Sequence, residues 1–343
     1  MSIREVPSLH LSGVSVLVFS AFLAAVLMTR EAEAGVWLSG DDPVVQAQKH
    51  KQTPADYMSL FEPNSPWSNA AGTVTAFKIS HQFALRASDE QLKTLITDLK
   101  RRRIALAIEL GILVGSQRCG MAVEGYAMPA AVETAAIHIQ KAGGQLDYIA
   151  FDEPIWHGSE GKGRAGGGKG GIFCEDSIPA LVDQVVPKLV ILNKYFPNAV
   201  AGDIDPVHGL HPEVIKDVQE FFNLVNQKSP LRLSFYHADI AWAARGWKPY
   251  LEELSQALHK QGIRVGVICG GGGSETGGRP ASTNDEWVHT AIQRCQDLAR
   301  DPKIKPDDFI VQSWEPLPTQ MLPESNPGSL TYEVDAVAKL SSH

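Results

Sequence analysis

Eight short runs of apolar residues recur along the chain, and segments with helical periodicity separate them. A run of this kind, without polar alternation, is typical of a strand that is buried on both faces. The predicted strands are Val36–Ser39, Val74–Ser80, Ile104–Glu109, Tyr148–Phe151, Ala199–Ile204, Arg232–His237, Val265–Cys269 and Phe309–Ser313. Strands that alternate with helices indicate a parallel sheet, because a helix usually makes the crossover between parallel neighbours.

The segments between these strands carry apolar residues at helical spacing. In Asp89–Arg102 the apolar residues form one stripe, and Ser88 is a predicted N-cap residue. Further helices are predicted at Ala130–Lys141, Ile178–Tyr195, Pro212–Asn226, Trp247–Gln261 and Thr283–Ala299, with a short one within Pro54–Leu60. Eight strands with helices between them over about 310 residues favour an α/β fold, a single-domain (β/α)8 barrel, over an open doubly wound sheet. No GxGxxG motif follows the first strand to favour the open sheet.

The N-terminal segment has the organisation of a secretory signal peptide. Arg4 precedes an apolar stretch over residues 14–28, and Ala32-Glu33-Ala34 then provides a small-x-small cleavage pattern. We therefore predict a signal peptide over residues 1–34 and a secreted or periplasmic barrel domain over residues 35–343. The mature protein should have no stable membrane insertion. The alternative is an uncleaved anchor, since the stretch is close to the shortest length that spans a bilayer.

The four cysteines are Cys119, Cys174, Cys269 and Cys295, and none forms a CxxC pair that would favour a zinc site. Export makes disulfides possible. Cys119 and Cys174 both fall in loops that follow strands, on the same predicted face, so we predict a disulfide between them. Cys269 ends a strand and Cys295 lies in a helix, and we predict that both are buried free thiols.

The formal net charge is −8, from 31 basic and 39 acidic residues. The basic run Lys100-Arg101-Arg102-Arg103 falls in the last turn of a predicted helix, where positive charge complements the helix dipole. The charge balance therefore argues against nucleic acid as a partner. Protein partners are left open by the sequence.

Acidic side chains collect where the predicted strands end, which is the end at which a (β/α)8 barrel places its active site. The residues at these ends are Asp41, Asp42, His81, Glu109, Asp152, Glu153, Asp203, Asp205, His237, Asp239 and Glu315, and a loop adds Glu124. A carboxylate inside a buried strand would cost desolvation energy. The sequences Phe151-Asp152-Glu153-Pro154 and Ser313-Trp314-Glu315-Pro316 therefore mark places where a strand leaves the core.

A cluster of carboxyl groups with few histidines favours glycoside cleavage over two other hydrolytic chemistries. Glycoside cleavage needs two carboxyl groups, one protonated and one ionised, on either side of the bond. The HxH and HExxH spacings of metal-dependent hydrolases and the GxSxG motif of serine hydrolases are absent from the sequence. Trp156 and Trp314 near the same face are suited to stacking on sugar rings. We therefore predict a carbohydrate substrate and no metal or other cofactor.

The sequence Asp152-Glu153-Pro154 resembles the Asn-Glu-Pro that ends strand four in a large clan of (β/α)8 glycoside hydrolases. The resemblance implies that Glu153 is the catalytic acid/base. Trp314 matches a tryptophan that the clan often has at the end of strand eight, below the cleaved sugar subsite. The clan's nucleophile, a glutamate at the end of strand seven, has no match here, because that strand ends Ile268-Cys269-Gly270 and the next acid is Glu275.

The prediction is a glycosidase-like protein that acts on an oligosaccharide or polysaccharide. The predicted catalytic residues are Glu153, Glu315 and Glu109, and the predicted substrate-binding residues are Asp152, Trp156, Asp205, His237, Asp239 and Trp314. Two alternatives stay open. One is a non-catalytic carbohydrate-binding barrel, which the missing strand-seven acid favours, and the other is a metal-dependent hydrolase that uses His81, His237 and Asp203.

Overall fold

The computed structural model describes residues 35–49, 56–116, 118–121, 123–128, 130–160, 165–166, 171–208, 212–272 and 281–340. The predicted signal peptide over residues 1–34 and the acid Glu275 lie outside these ranges. In the part of the chain that the structure describes, no helix has the length and apolar character that crossing a membrane requires.

Eight parallel strands close into a barrel, which confirms the predicted (β/α)8 fold. The strands are β1 (Gly35–Ser39), β2 (Val74–Ser80), β3 (Ala105–Leu110), β4 (Tyr148–Asp152), β5 (Val200–Val207), β6 (Leu233–Ile240), β7 (Arg264–Ile268) and β8 (Asp308–Val311). Neighbours in the barrel follow chain order, and β1 pairs with β8 to close the ring. All the predicted strands are confirmed, although β5 and β6 each run three residues further than predicted.

Helices cover the outside of the barrel. The described helices are α1 (Pro43–Lys49), α2 (Ser68–Ala71), α3 (His81–Arg86), α4 (Asp89–Arg102), α5 (Ala131–Lys141), α6 (Ile178–Tyr195), α7 (Pro212–Lys228), α8 (Trp247–His259), α9 (Asn284–Ala299) and α10 (Leu330–Ala338). Ser88 caps α4 as predicted, because its hydroxyl accepts a hydrogen bond from Gln91 N and the Gln91 side chain accepts one from Ser88 N. The sequence analysis missed α1, α2, α3 and α10, which are too short to show a clear period.

Side chains that point into the barrel fill its interior. The large ones are Trp37, Ile204, Phe235, Ile268 and Ile310, and three alanines on β2, β3 and β4 make room for them. The Trp37 ring lies 5.4 Å from the Phe235 ring, centroid to centroid. Because side chains alternate along a strand, these residues fix which positions face inward at the strand ends.

Two disulfides link the loops and helices to the barrel. Cys119 and Cys174 are bonded, with Cα atoms 5.1 Å apart, which confirms the predicted pair. Cys269 and Cys295 were predicted to be free thiols, and that prediction was wrong, because they form a second disulfide with Cα atoms 5.6 Å apart. Cys269 follows β7 and Cys295 lies on α9. Their approach comes from the packing of this helix against the strand that precedes it, which sequence periodicity does not specify.

Candidate active site

A cavity of about 660 Å³ opens at the carboxyl ends of the strands. Its acidic lining residues are Asp41, Asp42, Glu109, Glu124, Asp152, Glu153 and Asp239, and Gln82, His208, Gln312 and Trp314 add amide and aromatic side chains. Asp42 also begins α1, because its carboxylate accepts hydrogen bonds from Val44 N and Val45 N. The cavity is therefore a polar, carboxylate-rich site of the size that binds small molecules or part of a polymer.

Strand alternation decides which acids face the cavity. Asp152, at the end of β4, is two residues after the inward-facing Ala150 and therefore faces inward as well. Glu109, at the end of β3, has the same relationship to the inward-facing Ala107. These strands are hydrogen-bonded neighbours, with Glu109 paired to Ala150. The two carboxyl groups therefore lie on adjacent strands at the mouth of the barrel. Asp239 reaches the same cavity from β6.

A buried lysine holds Glu109. Lys78 lies on β2 with its side chain 0% exposed, and its Nζ forms an ion pair with Glu109 Oε2. A buried ammonium group is costly unless a charged partner compensates it, so the pair fixes the Glu109 carboxylate in place. Lys78 was not predicted to be a site residue. The signal was a single charge within the apolar strand Val74–Ser80, two residues after the inward-facing Ala76 and therefore on the same face.

Asp152 is a carboxyl group of the cavity whose raised pKa favours the protonated form, and burial also raises the pKa of Asp42 in the same cavity. Burial is the largest cause that raises the pKa of Asp152 well above the usual value. The charges of Glu124, Glu109 and Glu153 raise this pKa further, and the Lys78 ammonium opposes them. Asp152 is not sealed from solvent, because its side chain lines the open cavity.

Glu153 leaves the inward row of β4. Its backbone has φ 49°, a left-handed conformation that is uncommon for a residue with a side chain. Its Oε2 lies 2.6 Å from Nε2 of His157, which belongs to the short π-helix Trp156–Glu160. His157 is 4% exposed, and burial lowers its pKa to about 4, so its ring is neutral. Glu153 reaches the cavity wall from above the strand end, beside Glu124.

Asp203 and Asp205 lie on the outer face of β5, since Ile204 between them points into the barrel. Both carboxyl groups are buried, and burial raises both pKa values, that of Asp203 to about 7. Asp205 accepts a hydrogen bond of 2.9 Å from Trp156 N. Asp205 therefore positions the turn after β4 and does not line the cavity.

Trp156 does not line the cavity itself. Its ring stacks on the ring of His208, with 4.5 Å between centroids, and His208 is the member of this pair that lines the cavity.

Two further predicted residues lie away from the cavity. The His237 ring is buried inside the barrel, 4.6 Å from the Trp37 ring, one layer below the strand ends. Glu315 accepts a hydrogen bond of 2.7 Å from Trp287 Nε1 and lines a small pocket beneath α9 that adjoins the main cavity. Trp314, one residue earlier, has the inward position instead and lines the main cavity. The structure thus does not bring Glu315 together with Glu109 and Glu153.

The three residues of the metal-hydrolase alternative do not share a site. His81 begins α3, Asp203 faces outward from β5, and His237 is inside the barrel. A different set of metal-ligand types meets at the cavity wall. It consists of Glu124, Glu153 and His157, and His157 was not singled out from the sequence. The sequence signal for this set was the position of His157, four residues after Glu153 at the end of β4.

No protein-family model matches the chain, and no protein of curated function matches it. Among solved structures, GH10 from Paenibacillus barcinonensis is 12% identical, with 84% of this chain and 85% of that chain covered and a TM-score of 0.49. A beta-mannanase from Streptomyces thermolilacinus is 10% identical (84% and 79% covered, TM-score 0.45). QR15, an aldolase, is 14% identical (84% and 92% covered, TM-score 0.42). Likeness this distant says nothing of activity, and the barrel assignment rests on the strands of this chain.

Proposed function

We propose that the protein hydrolyses glycosidic bonds in an oligosaccharide or polysaccharide, with Asp152 and Glu109 as the reacting pair. The observation that carries the proposal is their placement on adjacent strand ends in one cavity, one carboxyl group buried among acids and the other in an ion pair with Lys78. The raised pKa of Asp152 supports the division of roles. Glycoside hydrolysis requires this combination of a proton donor and a carboxylate.

In the proposed reaction, Asp152 donates its proton to the glycosidic oxygen as the bond to the sugar breaks. Glu109 stays ionised and either stabilises positive charge on the sugar ring or activates the attacking water. Trp314 packs against the interior cluster below the cavity and offers an aromatic surface on which a sugar ring can stack. Asp239, two strands from Asp152 at the same mouth of the barrel, is a hydrogen-bond acceptor for sugar hydroxyls.

The role that the resemblance gave to Glu153 passes to Asp152 in this proposal. Asp152 has the inward position at the end of β4, whereas Glu153 turns aside toward His157. Glu153 then lies beside the reacting pair, held at the cavity wall next to His157.

The test is a screen of purified mature protein against a panel of soluble and insoluble polysaccharides, with release of reducing ends as the readout. Asp335→Asn is the matched control, because Asp335 forms a surface ion pair with Lys339 on α10. Cleavage by wild type and by the control, but not by Asp152→Asn, supports the proposal. Sugar binding without cleavage by wild type would favour the non-catalytic binding barrel.

We also propose that the protein is exported. Two disulfides support this, since structural disulfides are typical of oxidising compartments. Mass spectrometry of the native protein should find a mature N-terminus at Gly35, and an intact Met1 in a cytoplasmic fraction would contradict export.

A further inference from the structure

Three side chains from two segments converge at the wall of the cavity. Glu124 comes from the segment after β3, and Glu153 and His157 come from the segment after β4. One ligand atom from each residue lies within 4.8 Å of those of the other two. Ligand atoms around a tetrahedral ion at about 2.1 Å lie roughly 3.4 Å from one another, so a small side-chain movement would give each a place on one ion.

His157 gives an independent reason to expect a ligand here. Its side chain is buried, and neither ring nitrogen has a hydrogen-bond partner. Nε2 lies 2.6 Å from Glu153 Oε2, but the contact does not meet the geometry of a hydrogen bond. Buried polar groups are normally satisfied, so this ring needs a partner. A cation between the imidazole nitrogen and the carboxylate oxygen would provide one.

The backbone around the three residues is held in place. Gly125, beside Glu124, has φ +79°, and a Cβ there would lie 2.4 Å from the Asp152 carbonyl oxygen. Only glycine therefore allows this segment to lie against the end of β4. The Cys119–Cys174 disulfide ties the same segment to Phe173, whose ring packs 5.1 Å from the His157 ring.

We propose that Glu124, Glu153 and His157 bind one divalent transition-metal ion of the Zn²⁺ or Mn²⁺ type. One imidazole nitrogen and two carboxylates suit these ions, whereas Ca²⁺ and Mg²⁺ prefer ligand sets made of oxygen alone. Three protein ligands leave a coordination position open, as in catalytic rather than structural sites. Glu124 and Glu153 also line the cavity, so that position faces the space where a substrate would bind. This replaces the sequence-based expectation that no metal binds.

The site can be tested without any substrate, so its success or failure is separate from that of the hydrolase proposal. Chelator-treated mature protein is titrated with Zn²⁺ and Mn²⁺ by calorimetry, with Ca²⁺ and Mg²⁺ as comparison ions. Glu124→Gln is the decisive variant, because Glu124 is exposed and its loss does not endanger folding. His157→Gln is the second variant, and Glu220→Gln on α7 and His259→Gln on α8 are the matched controls.

We expect one equivalent of Zn²⁺ or Mn²⁺ to bind to wild type and to both controls. In Glu124→Gln and His157→Gln the affinity should fall at least about 10-fold. Anomalous scattering from a Zn²⁺-soaked crystal should place the ion between the three side chains. Absence of binding at millimolar Zn²⁺ and Mn²⁺, equal affinity in Glu124→Gln and wild type, or a preference for Ca²⁺ would each overturn the proposal.

Discussion

Lys78 Nζ contacts Glu109 Oε2 at the mouth of the barrel, and the lysine side chain has no exposure while that of Glu109 is 26% exposed. The contact joins a cation from the middle of β2 to an acid at the end of β3. Such a pair is costly to form, since both charges lose water, and is expected where a fixed carboxylate is needed. This ion pair is the reason that the proposal makes Glu109 the ionised carboxylate and Asp152 the proton donor.

Lys78→Met should therefore lower both stability and activity. The Glu109 charge would remain without its partner, and we expect a loss of about 1–3 kcal/mol in the free energy of unfolding, limited by the partial exposure of Glu109. Urea denaturation measures this. The double variant Lys78→Met/Glu109→Gln should recover most of the stability and none of the activity. A stable, fully active Lys78→Met would show that the ion pair has no role in the site.

Glu315→Gln distinguishes the role that the sequence predicts for Glu315 from the one that its contacts indicate. The sequence made Glu315 a catalytic residue, whereas the structure places its carboxylate on Trp287 Nε1. We expect a stability loss of about 1 kcal/mol, as a charged acceptor becomes neutral, and a turnover number close to that of wild type. Steady-state kinetics and urea denaturation measure the two effects. A turnover number reduced by about two orders of magnitude, with unchanged stability, would return Glu315 to the reacting pair.

The strands could be predicted from sequence because a strand buried on both faces is a continuous apolar run. The acids at their ends were also visible, but the direction of each side chain was not. At the end of β4, the left-handed backbone of Glu153 turns its side chain away from the inward-facing positions. The resemblance therefore named Glu153, whereas the acid that faces inward is its neighbour Asp152. The Cys269–Cys295 bond depends on helix packing, which no local pattern specifies.

The two disulfides should differ in their effect on the proposed metal site. Cys119→Ala/Cys174→Ala releases a loop of 55 residues next to Glu124, and we expect a stability loss of about 2–4 kcal/mol and weaker Zn²⁺ binding. Cys269→Ala/Cys295→Ala opens the loop of 26 residues that leads from the end of β7 into α9. This variant should lose similar stability and keep its Zn²⁺ affinity. Calorimetry on both variants at a temperature where they are folded makes the comparison. Equal affinities in the two would contradict the role given to the first disulfide.

Two histidines with lowered pKa values each contribute stability that is lost in mild acid. Burial lowers the pKa of His81 to about 4, and it lowers that of His237 well below the usual value. Below pH 6.5 the unfolded chain binds protons that the folded chain does not, so stability present above pH 6.5 is lost as the pH falls toward 4. His81 alone accounts for about 2 kcal/mol by pH 5. Between pH 7 and pH 5, urea denaturation should show a change in stability that is about 2 kcal/mol less unfavourable for His81→Gln than for wild type, and an equal change in the two would contradict the assignment.

The turnover number of Asp152→Asn on a polysaccharide that the wild-type protein cleaves tests the central claim most directly. Asparagine keeps the shape of the side chain and removes the proton, so this turnover number should fall by about 10²–10⁴-fold while sugar binding is retained. Asp335→Asn should cleave at the wild-type rate. If Asp152→Asn also cleaves at that rate, Asp152 is not the proton donor and the proposed mechanism is wrong.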